Sequence, residues 1–261
     1  MLVLLSPAKR LDFEPSAHTL DLTRPALVDR TADLSKETAK LSKRKIKTMM
    51  ELSDDLAELN YQRFQAFDPD AKDGKAAALA FAGEVYRGLN AEGLSDTDLK
   101  WAQDHLRILS GMYGVLRPLD AIQPYRLEMG RKIKTKKGES LYDFWGSDIA
   151  SQLNDALKGQ QSRTIVNLAS NEYFKAVDRK TLDADIVDVD FKEEKDGKAR
   201  ILFMFAKVAR GLMARWIIEN RVTDPAKLKD FNVEGYSFDA SASAGGKLTF
   251  VRPQPPKKRA A

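Results

Sequence analysis

Leu106–Met129 reads LRILSGMYGVLRPLDAIQPYRLEM, and the fold turns on how its first half is taken. Leu99, Ala102, Leu106 and Leu109 recur at helical spacing. That pattern predicts a helix closing at Ser110-Gly111. A four-residue Gly-Met-Tyr-Gly hairpin and a second apolar run from Val115 follow. Gly111 and Gly114 permit positive φ and a close approach of backbone to a ligand. From Leu106 to Gly138 there are eight Lys/Arg against two acids, Asp120 and Glu128. A glycine hairpin flanked by cations suits a phosphate backbone gripped without base reading. The plainer reading is a helix C-cap glycine followed by a tight turn.

Outward from this stretch, the 261 residues suffice for one large domain or two small ones. No apolar run reaches the roughly 18 residues of a membrane span. The start MLVLLSPAK lacks the basic region of a signal peptide, so Met1 is read as the start of the folded protein and the expected location is the cytoplasm. There are no cysteines, which excludes disulfides and thiolate chemistry. Two isolated histidines, His18 and His105, make no His-rich metal site, and no cofactor motif is present. The net charge is +5, and five cations without an acid follow Asp239, so residues 1–239 are neutral overall. Positive clusters inside that neutral body then carry the argument for a polyanion.

Leu2–Leu5 reads as a buried strand leaving into Ser6-Pro7-Ala8-Lys9-Arg10. Thr164–Ala169 is a second strand, leaving into Ser170-Asn171-Glu172-Tyr173. Ser95 with Asp98 approximates a capping box. Leu141–Leu157 reads helical. Ile186–Glu193 and Ile201–Phe205 read as strands about the turn Lys195–Lys198. Lys207–Val222 is a helix opening onto Asp224-Pro225, and a last hairpin joins Gly235–Phe238 to Lys247–Val251. This order predicts an α+β, or mixed α/β, fold with a central mixed sheet over residues 1–252, and a disordered basic tail over 253–261.

Five constellations carry candidate chemistry. The hairpin places Ser110, Gly111, Tyr113 and Gly114 between Arg107 and Arg117, and Tyr125-Arg126 could add stacking and phosphate contact. On the helix Lys207–Val222, Lys207, Arg210 and Arg221 lie within roughly 60° of one another. Lys36–Lys47 holds six cations and one acid, spread around a helix as a solvated surface would be. Lys9 could bind phosphate or serve as an amine nucleophile. Asn171 and Glu172 could supply acid–base work, or simply open a short helix. Asp188 and Asp190 share one strand face, which suits solvent as well as a metal.

Taken together, LLSPAK (4–9), GEVYRGL (83–89), LRILSGMYGVLRPLDAIQPYRLEMG (106–130), FWG (144–146), VNLASNEYFKAV (166–177) and ARGLMARWIIENR (209–221) resemble the YaaA peroxide-stress family. The resemblance spans Met1 to about Arg252. It implies a cytoplasmic bacterial protein that limits hydrogen peroxide damage, partly by keeping unincorporated iron low. It also implies a family-specific mixed α/β fold and a helix-hairpin-helix that binds duplex and distorted DNA, here placed near 99–125. The expected DNA-contacting residues are Arg107, Ser110, Gly111, Tyr113, Gly114, Arg117, Arg126, Lys207, Arg210 and Arg215, acting in a monomer with no membrane partner. The alternative is an enzyme on nucleic acid or nucleotides using a Lys9, Asn171, Glu172 pocket.

Overall fold

The computed structural model describes residues 1–71 and 73–256. Its centre is an eight-stranded sheet. In chain order the strands are β1 (Leu2–Leu5), β2 (Leu106–Ser110), β3 (Gly114–Leu116), β4 (Thr164–Asn167), β5 (Asp185–Lys195), β6 (Lys198–Arg200), β7 (Ser237–Phe238) and β8 (Lys247–Pro253). They lie in the order β7-β8-β5-β4-β1-β2-β3, with β6 paired to β5. The five central strands run parallel, and β3, β6 and β7 are antiparallel additions. β1 and β4 are buried at every position. That is why LVLL and TIVN lack the alternation of a half-wet strand.

Helices cover the sheet: α1 (Val28–Thr38), α2 (Lys43–Met50), α3 (Asp54–Ala66), α4 (Ala77–Ala80), α5 (Glu84–Leu89), α6 (Asp96–His105), α7 (Leu141–Trp145), α8 (Asp148–Leu157), α9 (Asn171–Phe174) and α10 (Phe203–Glu219). The capping box read at Ser95 and Asp98 opens α6. Asp224 caps a 3₁₀ turn through the amide of Ala226. α10 buries Ala206, Ala209, Met213, Ala214, Ile217 and Ile218. It crosses α5 with backbones touching. A Cβ on Gly211 would lie 1.8 Å from the Val85 carbonyl oxygen, and one on Gly88 would lie 2.1 Å from that of Val208.

Several sequence expectations are corrected. The helix through Leu109 ends at His105, and Leu106–Ser110 is a central strand. Leu106 and Leu109 satisfy a helical spacing, but they also fit a strand buried on both faces, and pairing of Leu106 with Val3 decides the matter. The expected helix-hairpin-helix at 99–125 is therefore replaced by a β-hairpin, with Ser110 opposite Gly114. Leu141–Leu157 is broken into α7 and α8 at Gly146, whose φ is +48°. Ile201–Phe205 is no strand, because the chain leaves the ladder after Arg200 and α10 starts at Phe203. β8 runs through Pro253, and the basic part of the expected tail lies outside the described residues.

Candidate functional site

The order β8-β5-β4-β1-β2 puts the chain reversal of this parallel sheet at β1, which has β4 on one side and β2 on the other. In such sheets ligands sit beyond the carboxyl ends of the strands at that switch point. Here the exits of β1 and β4 are tied together. Ser6 Oγ accepts from the Ser170 amide at 2.8 Å and lies 3.3 Å from Ser170 Oγ. The Tyr86 hydroxyl, on α5, donates to the Ser6 carbonyl at 3.0 Å. At the exit of β2, Ser110 Oγ and the Tyr125 hydroxyl are 2.6 Å apart. Burial pushes the phenols of Tyr86, Tyr125 and Tyr173 upward, so they serve as neutral hydroxyls.

Lys9 completes this end. Its Nζ lies 3.2 Å from Glu128 Oε1, with Lys9 63% exposed and Glu128 only 5%. Two guanidinium groups also hold Glu128: Arg126 Nη2 at 3.2 Å from Oε1, and Arg131 Nε at 3.7 Å from Oε2. Burial pushes the Glu128 carboxyl up, but Arg126 and Lys9 outweigh it and hold it below the ordinary carboxylate range. Glu172 takes a different role from the one its sequence suggests. Its Oε1 accepts from the Gly130 amide at 2.9 Å, on the same segment that carries Glu128. Asn171 and Glu172 are exposed and begin α9. The partner of Lys9 is thus Glu128, which the sequence reading counted only as an acid among cations. Its signal was an Arg-x-Glu pair, Arg126 and Glu128, on a stretch too rich in Pro and Gly to be helical. A cleft of about 890 Å³ lies alongside, with Arg10, Glu84, Tyr86 and Arg87 among its lining.

The residues expected to seat phosphates are committed within the fold. Gly111, Met112, Tyr113 and Gly114 are buried. The Tyr113 amide donates to Ser110 Oγ, and Trp145 Nε1 donates to the Gly111 carbonyl. A Cβ on Gly111 would lie 2.2 Å from the Leu127 carbonyl oxygen, so the close approach read from the glycines is made to this chain itself. Arg107 donates to the carbonyls of Gln103 and Leu106, and burial lowers its pKa to about 10. Arg117 grips Asp120, and Arg126 grips Glu128. Arg215 donates to the carbonyls of Leu89, Asn90 and Gly93. Arg210 is half-buried with its Nε enclosed, and Arg221 is held by the Ile218 carbonyl and Asp98. Among the described residues Lys207 alone of the expected cations stands exposed without an acid within 4 Å. Asp188 accepts from Asn167 Nδ2, and Asp190 pairs with Lys247. No three of His, Asp and Glu converge as metal ligands among the described residues, and no helix there is long and apolar enough to cross a membrane.

A helix pair with a short turn does occur, at another place. α2 ends on Glu51 in the left-handed region (φ 55°), Leu52 turns inward, and Ser53 caps α3 through the Leu56 amide. α2 carries Lys43, Arg44, Lys45 and Lys47. Lys43 pairs with Glu58 and Lys47 with Asp54, whereas Arg44 and Lys45 are exposed with no acid in reach among the described residues. Arg131 joins this turn to the strand-end site. Its Nη1 donates to the Met49 carbonyl and to Glu51 Oε1, while its Nε faces Glu128.

Comparison with known proteins matches residues 1–242 to the family described as Peroxide stress protein YaaA. A UPF0246 protein of Maricaulis maris is 60% identical over 255 residues, covering 98% of this chain and 97% of the relative. A UPF0246 protein of Caulobacter vibrioides is 55% identical over 255 residues, covering 98% of this chain and 100% of the relative. One of Phenylobacterium zucineum is 54% identical over 256 residues, covering 98% and 96%. The family match runs from β1 into the loop between β7 and β8 and takes in every strand-end residue described above; the chain belongs to the YaaA family of peroxide stress proteins.

Proposed function

We propose that this chain serves the peroxide response by binding duplex and distorted DNA, through the α2–α3 corner rather than the glycine hairpin. The observation that supports this is the pairing of two helices across a three-residue turn, with Arg44 and Lys45 on the first of them exposed and without an acid in reach among the described residues. The Leu56 amide is taken by Ser53 and the first turn of α3 carries Asp54 and Asp55, so the phosphate contacts fall to Arg44 and Lys45 on α2. Those groups contact phosphates and carry no base information, so binding is shape-led. The accompanying restraint of free iron rests on the family resemblance alone.

Binding of a 20-base-pair duplex across a salt series tests the reading. Each phosphate neutralised contributes about −0.9 to the slope of log K against log salt. Replacing both Arg44 and Lys45 with Glu should flatten that slope by about two and weaken binding at least about tenfold at low salt. Unchanged affinity in the double variant, or a flat slope in the parent, sinks this assignment.

A further inference from the structure

We propose that Lys9 is a nucleophile toward the ring-opened sugar aldehyde left in DNA where a base has been lost, with Glu128 carrying its proton. The inference builds on the DNA-binding reading and names a substrate class for the strand-end site.

Four observations lead there. Lys9 leaves β1 at the switch point of the sheet, where the ligand crevice of such folds lies. Its amine is open to solvent and has one ionic partner among the described residues, Glu128. Glu128 does not depend on that amine, because Arg126 and Arg131 also face it. Lys9 can therefore swing to a substrate without stranding a buried charge, which would otherwise oppose the motion. Finally, Arg131 touches Glu51 at the α2–α3 turn with one edge and Glu128 with another. One arginine thus links the corner to the carboxylate that Lys9 pairs with.

Glu128 gives the amine a proton acceptor, while Arg126 and Arg131 keep the surroundings positive for the phosphates that flank the sugar. An amine beside a proton acceptor is the arrangement that imine formation needs. Nζ passes a proton to Glu128 Oε1, and its lone pair adds to C1′ of the aldehyde, giving a carbinolamine. The former carbonyl oxygen collects that proton and one more from nitrogen, and leaves as water. The product is a C1′=Nζ iminium and Glu128 ends ionised, as it began. Glu128, ionised again, takes the C2′ proton and later releases it to water; the electron pair of that bond forms the C2′=C3′ double bond, and the 3′ phosphate departs with the C3′–O pair. Addition of water to the imine frees Lys9.

Borohydride trapping on a duplex with a single abasic site tests this, with trapped protein counted per mole of bound duplex and the adduct mapped by peptide mass. The expected adduct is on Lys9. Lys9→Arg keeps a cation on Glu128 but loses the amine, and should cut trapping by about 100-fold or more. Glu128→Gln should slow it about tenfold and move its pH profile. Thermal midpoints of both variants serve as the check on folding. Adducts mapped elsewhere, or Lys9→Arg trapping as well as the parent, overturn the proposal even with DNA binding intact. If undamaged duplex is not bound at all, the DNA reading fails separately. Trapping with free 2-deoxyribose 5-phosphate then decides the chemistry: selective labelling of Lys9 upholds it, and labelling spread over surface lysines ends it.

Discussion

Two of the buried carboxylates, Glu193 on β5 and Glu128 before Gly130, are held in opposite ways. Glu193 is 0% exposed. Arg252, itself 6% exposed, lies 3.5 Å away. The Tyr236 hydroxyl donates to the same carboxylate, and the Arg252 guanidinium stacks 4.3 Å from the Tyr236 ring centre. Both partners are buried, and Arg252 spends its other edge on Glu234. Glu128 is also buried, but one of its three cations is an exposed lysine. The first arrangement is internal scaffolding. The second keeps its charge balanced by two arginines and leaves an amine at the surface to spare. Burial of an ion pair by itself therefore marks no site; an opening on one side of it does.

That contrast can be broken by measurement. Removing one member of a sealed pair leaves the other uncompensated, so Arg252→Met should cost about 3–5 kcal/mol in urea unfolding. A loss under 1 kcal/mol would show that Glu193 finds water or another partner. Next in size, Gly111→Ala drives a methyl against the Leu127 carbonyl in the packed hairpin, and overpacking of that kind costs about 1–3 kcal/mol. A neutral result would put this hairpin at an open surface and restore it as a ligand contact. The acid limb comes third. The Glu128 carboxyl titrates lower in the folded chain than in the unfolded one. It therefore adds stability above an unfolded value of about 4.3, and that contribution fades as pH falls through the folded value. Urea midpoints between pH 6 and pH 3 should fall less steeply for Glu128→Gln than for the parent. Lys9→Met should be smallest, within about 1 kcal/mol, since an exposed ion pair is screened and Arg126 remains. A larger loss would make Lys9 a structural partner and erase the contrast.

Residues 12–22 offer a gentler test with the opposite sign. His18 Nδ1 lies 2.6 Å from Asp96, and that hydrogen bond, against some desolvation, raises the imidazole pKa. The stabilisation is complete below about 6.5 and disappears as pH rises through the raised value. Limited proteolysis of this segment should accelerate across that range in the parent and show no such step in His18→Gln.

Short-range features were legible in the sequence. β1 announced itself as an unbroken apolar run, and β4 as a β-branched segment without alternation. The box at Ser95 and Asp98 and the turn at Lys195–Lys198 need only neighbours along the chain. Leu106–Ser110 was not legible, because the residues that make it a strand are Val3 to Leu5, about a hundred positions away. The site divided in the same way. Lys9 stood out as a strand exit, but Glu128 joins it across more than a hundred residues. Counting cations misled for a related reason: charge shows in the sequence, whereas its employment does not. Arg107 and Arg215 spend their donors on backbone carbonyls, and Arg117 on Asp120 three residues away.

The contact of Gly88 with Gly211 has a mechanical consequence. Helices α5 and α10 meet main chain to main chain, with no flexible side chain between them to absorb a displacement. α5 also carries Tyr86, whose hydroxyl fixes the turn after β1. The long helix and the loop after β1 are therefore geared together, like a lever and its pawl, and a push on α10 would be felt at Ser6 before either helix could bend.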